Sequence, residues 1–152
     1  MALIFLRSGD EHVSARLALP HTAHGIDLMR PDLLLFRALG RCLVLWDATA
    51  AAAEAAAEEW MDKQMPEPIV TVLFRGQSVG AAGATGAAGA AAKASGGSSG
   101  MFQLGSATAF QAWLCVSAGL CLGLGIVHAG TKHGGAKIAI LKRLRMIQRC
   151  VG

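Results

Sequence analysis

ATAFQAWLCVSAGLCLGLGIVHAG, residues 107–130, is the stretch whose reading governs every other assignment in this chain. It carries no charged side chain, and the uncharged run around it extends from Ala94 to Thr131. A helix of about 20 such residues crosses the hydrocarbon of a bilayer, and this run supplies 24. The competing account is the buried helix of a globular core. The rest of the chain offers little core to bury it: 53% of the residues are hydrophobic, but many are alanine, aromatics are 5%, and tyrosine is absent. Alanine contributes little apolar area when buried. With a mean hydropathy of +0.45, the sequence predicts a single transmembrane helix over 107–130.

That helix carries a packing face. Cys115, Gly119, Gly123 and Val127 follow one another at four-residue intervals, and Ser117, Cys121 and Gly125 form a second row of small residues beside them. Small side chains at this spacing let two helices approach closely enough for extensive van der Waals contact. Helix association is therefore expected here, with Trp113 placed towards the interface.

Downstream, residues 131–152 read as a basic amphipathic tail. Lys132, Lys137, Lys142, Arg143, Arg145 and Arg149 place six positive charges in the 21 residues from Lys132 onward, with no acid among them. Ile140, Leu141, Leu144, Ile147 and Val151 recur at helical spacing, and Gly134 with Gly135 permits a bend after the apolar helix. Directly after a membrane segment, such a tail points to anionic lipid or an acidic partner rather than nucleic acid. Lys137, Lys142, Arg143, Arg145 and Arg149 are the expected contacts.

Upstream, residues 77–106 form a Gly/Ala/Ser-rich connector whose glycines make ordering costly. Its beginning has the outline of a phosphate loop, but Gly76-Gln-Ser-Val-Gly80-Ala-Ala-Gly83 lacks GxGxxG, and Gly89-Ala-Ala-Ala-Lys93 lacks the glycine before lysine. The N-terminal region, 1–76, holds all ten acidic residues, from Asp10 to Glu67. Pro31 opens a helix expected over about 31–65, which Pro66 and Pro68 close. Phe36, Leu39, Leu43, Trp46, Ala50, Ala53, Ala57 and Trp60 fall on one seam of it, with a break near Gly40 or Asp47 as the alternative. Residues 2–7, 13–19 and 69–74 read as short strands. The first seven residues are too short an apolar run for a secretory signal, and Asp10 and Glu11 argue against an intact organellar presequence.

Chemistry-bearing patterns are sparse. His21 and His24 share an HxxH spacing without a completing ligand set, and His128 lacks a second axial partner for haem. Cys42, Cys115, Cys121 and Cys150 show no CxxC pattern and read as small apolar filler. No catalytic set, cofactor site or metal site is expected.

The sequence thus predicts a mostly α protein: a single-pass transmembrane helix, a small N-terminal helical or α+β region, and the basic tail. Its expected function is that of a structural accessory subunit of a respiratory, ATP-synthase or photosynthetic membrane complex, contributing packing and assembly. The mitochondrial inner membrane is the expected location, with the thylakoid membrane as the alternative. Expected partners are other membrane-protein subunits, met through the apolar helix and the 36–60 seam, together with anionic lipid. The rival readings are a membrane-anchored adaptor that recruits soluble partners and a small soluble nucleotide-binding protein.

Overall fold

A computed structural model describes residues 4–75 and 104–151. Among these residues the chain is helical and forms no strand. Asp10 explains why the stretch expected as a strand at 13–19 is instead mostly helix: its carboxylate accepts from the amides of His12 (2.8 Å) and Val13 (3.2 Å), opening α1, Glu11–Arg16. Thr22 caps α2, Ala23–Leu28, in the same way, accepting from the Gly25 amide at 3.1 Å.

The described part of the expected strand 2–7 has a different task. Arg7 and Gly9 both adopt left-handed backbone conformations, with φ of 58° and 67°. This turn points the Arg7 amide at the Leu43 carbonyl (2.9 Å) and the Gly9 amide at the Val44 carbonyl (3.0 Å). Those carbonyls end α3, Pro31–Val44, and have no partner within their own helix. The N-terminal segment is therefore a cap for α3.

Pro31 occupies the first turn of α3, with Asp32 beside it and Arg41 in the last turn, all favourable to the helix dipole. The helix expected over about 31–65 is two helices: α3 stops at Leu45, and α4 runs from Trp46 to Lys63 with a kink at Ala56. The expected seam is also re-phased. Leu34, Ala38 and Cys42 form the buried stripe of α3, whereas Phe36 is 61% exposed. Residues 69–74, expected as a strand, lie in α5, Glu67–Val70, and the π-helical turn Thr71–Arg75 that follows. Pro66 and Pro68 start this helix instead of merely stopping α4. The connector 77–106 and the glycine-rich stretch 76–93 lie largely or wholly outside the described residues.

At the centre sits α6, Ser106–Val127. It is long and apolar enough to cross a membrane, yet half of its apolar window is buried within the chain. Trp113, Val116, Leu120 and Leu124 are among the buried residues that join Leu34, Met61 and Ile69 in one core. Thr131 donates to the His128 carbonyl at 2.8 Å, and Gly130, with φ of 79°, turns the chain back. The final helix, α7, Gly134–Val151, then packs along α6 and α4. Its start is capped by a side chain, the His133 Nδ1 accepting from the Ala136 amide at 3.1 Å.

Candidate interaction surfaces

Three arrangements of functional side chains emerge from this fold. The first is the α3–α6 contact, built from the small residues of α6. A Cβ added at Gly119 would lie 2.5 Å from the Leu35 carbonyl oxygen and 2.9 Å from the Ala38 Cβ. One added at Gly123 would meet the Cys42 Cβ at 2.6 Å and its Sγ at 2.7 Å. Both glycines therefore admit a helix of the same chain. Ser117 is also fully buried but on another face of α6, two residues from Gly119, while Cys115 and Cys121 are half-buried. Gly125 faces open space, so it belongs to no close approach.

Burial also sets the chemistry of the thiols. It pushes Cys42 up to about 12, and it raises Cys115 and Cys121 from their ordinary value. A thiol held protonated in this way is a poor nucleophile.

The second arrangement clamps α7 to α4. Arg143 reaches Asp62, and Lys142 reaches Glu58 at 2.6 Å. Arg143 is only 7% exposed, and its guanidinium lies 6.0 Å from the Trp113 ring centroid. Its buried stem covers apolar surface while its head meets carboxylate and π-face together. Phe110 stacks on the same indole at 6.1 Å, and Phe74 meets it edge-on at 6.2 Å.

The third lies on the opposite face of α7. Ala136, Ala139 and Arg143 point inward, leaving Ile138, Leu141 and Leu144 exposed. Lys137, Arg145 and Arg149 share that outer side. Among the described residues these three take part in no ion pair. The five expected contacts of the tail are thus divided. Arg143 is turned inward and paired, Lys142 is paired at the exposed edge of the α4 contact, and Lys137, Arg145 and Arg149 face out.

The expected histidine patterns separate as well. His21 stands exposed ahead of α2 and His24 within its first turn. His128 instead stacks on His133, with ring centroids 4.7 Å apart. No group of three His, Cys, Asp or Glu side chains suited to a metal occurs among the described residues. Sequence reasoning missed the His128–His133 pair. The signal was their five-residue spacing across a glycine turn, which a helical reading does not bring together.

Comparison with known proteins supplies the decisive finding: the sequence model of the APC1 fifth domain matches residues 1–152. The chain belongs to the APC1 fifth-domain family. It is 22% identical over 137 residues to anaphase-promoting complex subunit 1 of Arabidopsis thaliana, covering 90% of this chain and 7% of that protein. It is 26% identical over 133 residues to the Homo sapiens subunit 1, covering 88% of this chain and 6% of that protein. A protein of Emericella nidulans named negative regulator of mitosis is 34% identical over 67 residues, 44% of this chain and 3% of its own length. The chain thus spans 3 to 7% of the length of these three curated relatives. No solved structure matches it.

Membership of this family overturns the expected respiratory, ATP-synthase or photosynthetic accessory subunit, along with the adaptor and nucleotide-binding rivals. The mitochondrial and thylakoid locations fall with it, as do membrane-protein partners and anionic lipid. The physical reason is visible in α6. Its glycine face meets α3 of the same chain, and Arg143 of the charged helix α7 lies over its Trp113, so its apolar length serves an internal core. The 36–60 seam, expected to meet other membrane-protein subunits, contributes Leu43, Ala53 and Ala57 to the chain's own buried residues.

Proposed function

We propose that this chain is a scaffolding module of an anaphase-promoting complex subunit 1, serving assembly through its surface and catalysing no reaction. The observation that carries this reading is the division of α7. Its side towards α4 is clamped by the buried Arg143–Asp62 pair and, at the exposed edge, by Lys142–Glu58, while its outer side sets Ile138, 56% exposed, Leu141 and Leu144 among three cations that take part in no ion pair among the described residues. A helix held rigidly on one side, with apolar and basic groups on the other, suits an acidic, partly apolar segment of a neighbouring protein. The apolar residues supply burial and the cations supply register and encounter rate. The protonated thiols and the single-chain glycine contact fit a role in packing.

The test places Lys137→Glu, Arg145→Glu and Arg149→Glu together in the full-length subunit and measures how much of the complex co-purifies with it. Reduced recovery, with an unchanged melting temperature of the isolated subunit, is the expected result. Full recovery across a range of salt concentrations would remove α7 as an assembly surface.

A further inference from the structure

A cavity of about 240 Å³ opens between α3, α4 and the segment leading out of α1, and no residue of α7 lines it. Leu19, Ala38, Ala52 and Leu120 make its walls apolar. The Leu19 wall is fixed in place, because the Arg37 Nη1 donates to the adjacent Ala18 carbonyl at 2.8 Å. Half-buried Trp60 and Gln64 contribute from the last turns of α4. The volume is below that of a pocket for a drug-sized molecule, about 300 to 1,000 Å³. It suits one bulky side chain.

Arg41 lines the same cavity. It is half-buried, and it takes part in no ion pair among the described residues, although Arg7, Arg30, Lys63, Lys142 and Arg143 each do. The next carboxylate along the chain, Asp47, is already held by Arg7 at 2.9 Å. Cys42, the neighbouring wall residue, is kept protonated by burial and supplies no counter-charge. An arginine beside an apolar cavity with no anion of its own is complementary to a carboxylate delivered together with an apolar group.

We infer that this cavity is an anchor pocket for a segment of another polypeptide that presents a bulky apolar residue next to an acidic one. The apolar side chain fills the space bounded by Leu19, Ala52 and Leu120, and the carboxylate pairs with Arg41. Anchors of this kind, a single side chain seated in a preformed pocket, dominate the energetics of many interfaces. The pocket is independent of the outer face of α7, so it stands or falls separately from the role proposed for that helix.

Amide chemical-shift mapping on the isotope-labelled chain tests this with capped peptides of sequence GLEG, GLQG and GAEG at millimolar concentration, the range of single-anchor affinities. The GLEG peptide should perturb Cys42, Thr49 and Leu120, and the other two should bind about tenfold more weakly, the loss of one charge-assisted hydrogen bond or one apolar anchor. Arg41→Gln should make GLEG and GLQG equivalent, and Ala52→Trp should block all three. Gln64→Trp provides a second way to fill the pocket if circular dichroism shows that Ala52→Trp unfolds the chain. Equal binding of GLEG and GLQG to the parent chain overturns the inference. So do shifts confined to Lys137, Arg145 and Arg149, or the absence of shifts around the cavity.

Discussion

Two helix pairs hold this module together, and they do so by opposite means. Where α3 meets α6, contact depends on side chains that are missing: Gly119 and Gly123 let the backbone and Cβ atoms of α3 come within distances no larger residue permits. Where α4 meets α7, contact depends on long side chains that reach across, Lys142 to Glu58 and Arg143 to Asp62. The first is specified by shape and has little dependence on salt or pH. The second is specified by charge and sits closer to solvent. The comparison teaches that one chain can bind an apolar helix by shape and tie down a neighbouring cationic one by charge, each through a different kind of complement.

The largest effect should come from filling the glycine contact. Gly119→Val places a branched side chain against the Leu35 carbonyl, a backbone atom that cannot move aside cheaply. Overpacking of this kind costs about 1 to 3 kcal/mol, and the upper end is expected here. Gly125→Ala, with nothing within 4 Å of the added carbon, should instead stabilise by about 0.5 to 1 kcal/mol through helix propensity alone. Chemical denaturation of the two variants measures both signs. Equal stability would mean that the α3–α6 approach is loose.

On the electrostatic side, Arg143→Ala should cost about 2 kcal/mol, since it removes packing on Trp113 together with the pair to Asp62. Arg143→Met keeps the apolar stem, and Asp62, 64% exposed, is left hydrated without its partner. Its cost should therefore stay under about 1 kcal/mol. If the two variants unfold at the same denaturant concentration, the charge outweighs the packing.

Much of the chain beyond residue 104 was legible from sequence, because α6 and α7 announce themselves by length and period. What sequence did not disclose was the partner of α6. The same small-residue rows at Gly119 and Gly123 serve a helix in a bilayer or a helix of the same chain, and only the complementary stripe Leu34, Ala38 and Cys42 distinguishes them. Alanine-rich periodicity masks that stripe by offering several phases at once, so that Phe36 reads as a seam residue. The strands expected at 2–7, 13–19 and 69–74 came from short apolar runs, for which helix and strand patterns coincide. Asp10 and Pro66 were the deciding residues, the one as a helix cap and the other as a helix start. The cavity beside Arg41 was invisible for a simpler reason: its walls come from separate elements that only the fold assembles.

A smaller effect is expected from Lys142 and Glu58, each 55% exposed. Pairs so open to water contribute about 0.2 to 1 kcal/mol. A double-mutant cycle with Lys142→Ala and Glu58→Ala should return a coupling in that range that fades as salt approaches 1 M, where screening acts over about 3 Å. A coupling that resists salt would place this pair with Arg143 as part of the buried core.

The smallest effect concerns the turn that joins the apolar helix to the cationic one. His128 stacks on His133, its Nε2 is buried without a hydrogen-bond partner, and Lys137 lines the same recess. Burial, and then repulsion from His133, lower its proton affinity from the ordinary 6.5, while Glu54 opposes them. The sign follows from linkage. With the folded affinity depressed, the unfolded chain takes up the proton first, so His128 favours the fold fully above about pH 6.5 and loses that contribution as pH falls through its folded value. The chain holds four other histidines, so the parent chain alone cannot isolate the effect. The difference between parent and His128→Gln can, because the other histidines remain. Denaturation midpoints from above to below pH 6.5 should fall more steeply in the parent than in the variant. Parallel slopes would assign the pH dependence elsewhere. A steeper slope in the variant would mean that Glu54 dominates the site and that the turn is held by charge, as the α4–α7 contact is, instead of by exclusion of water.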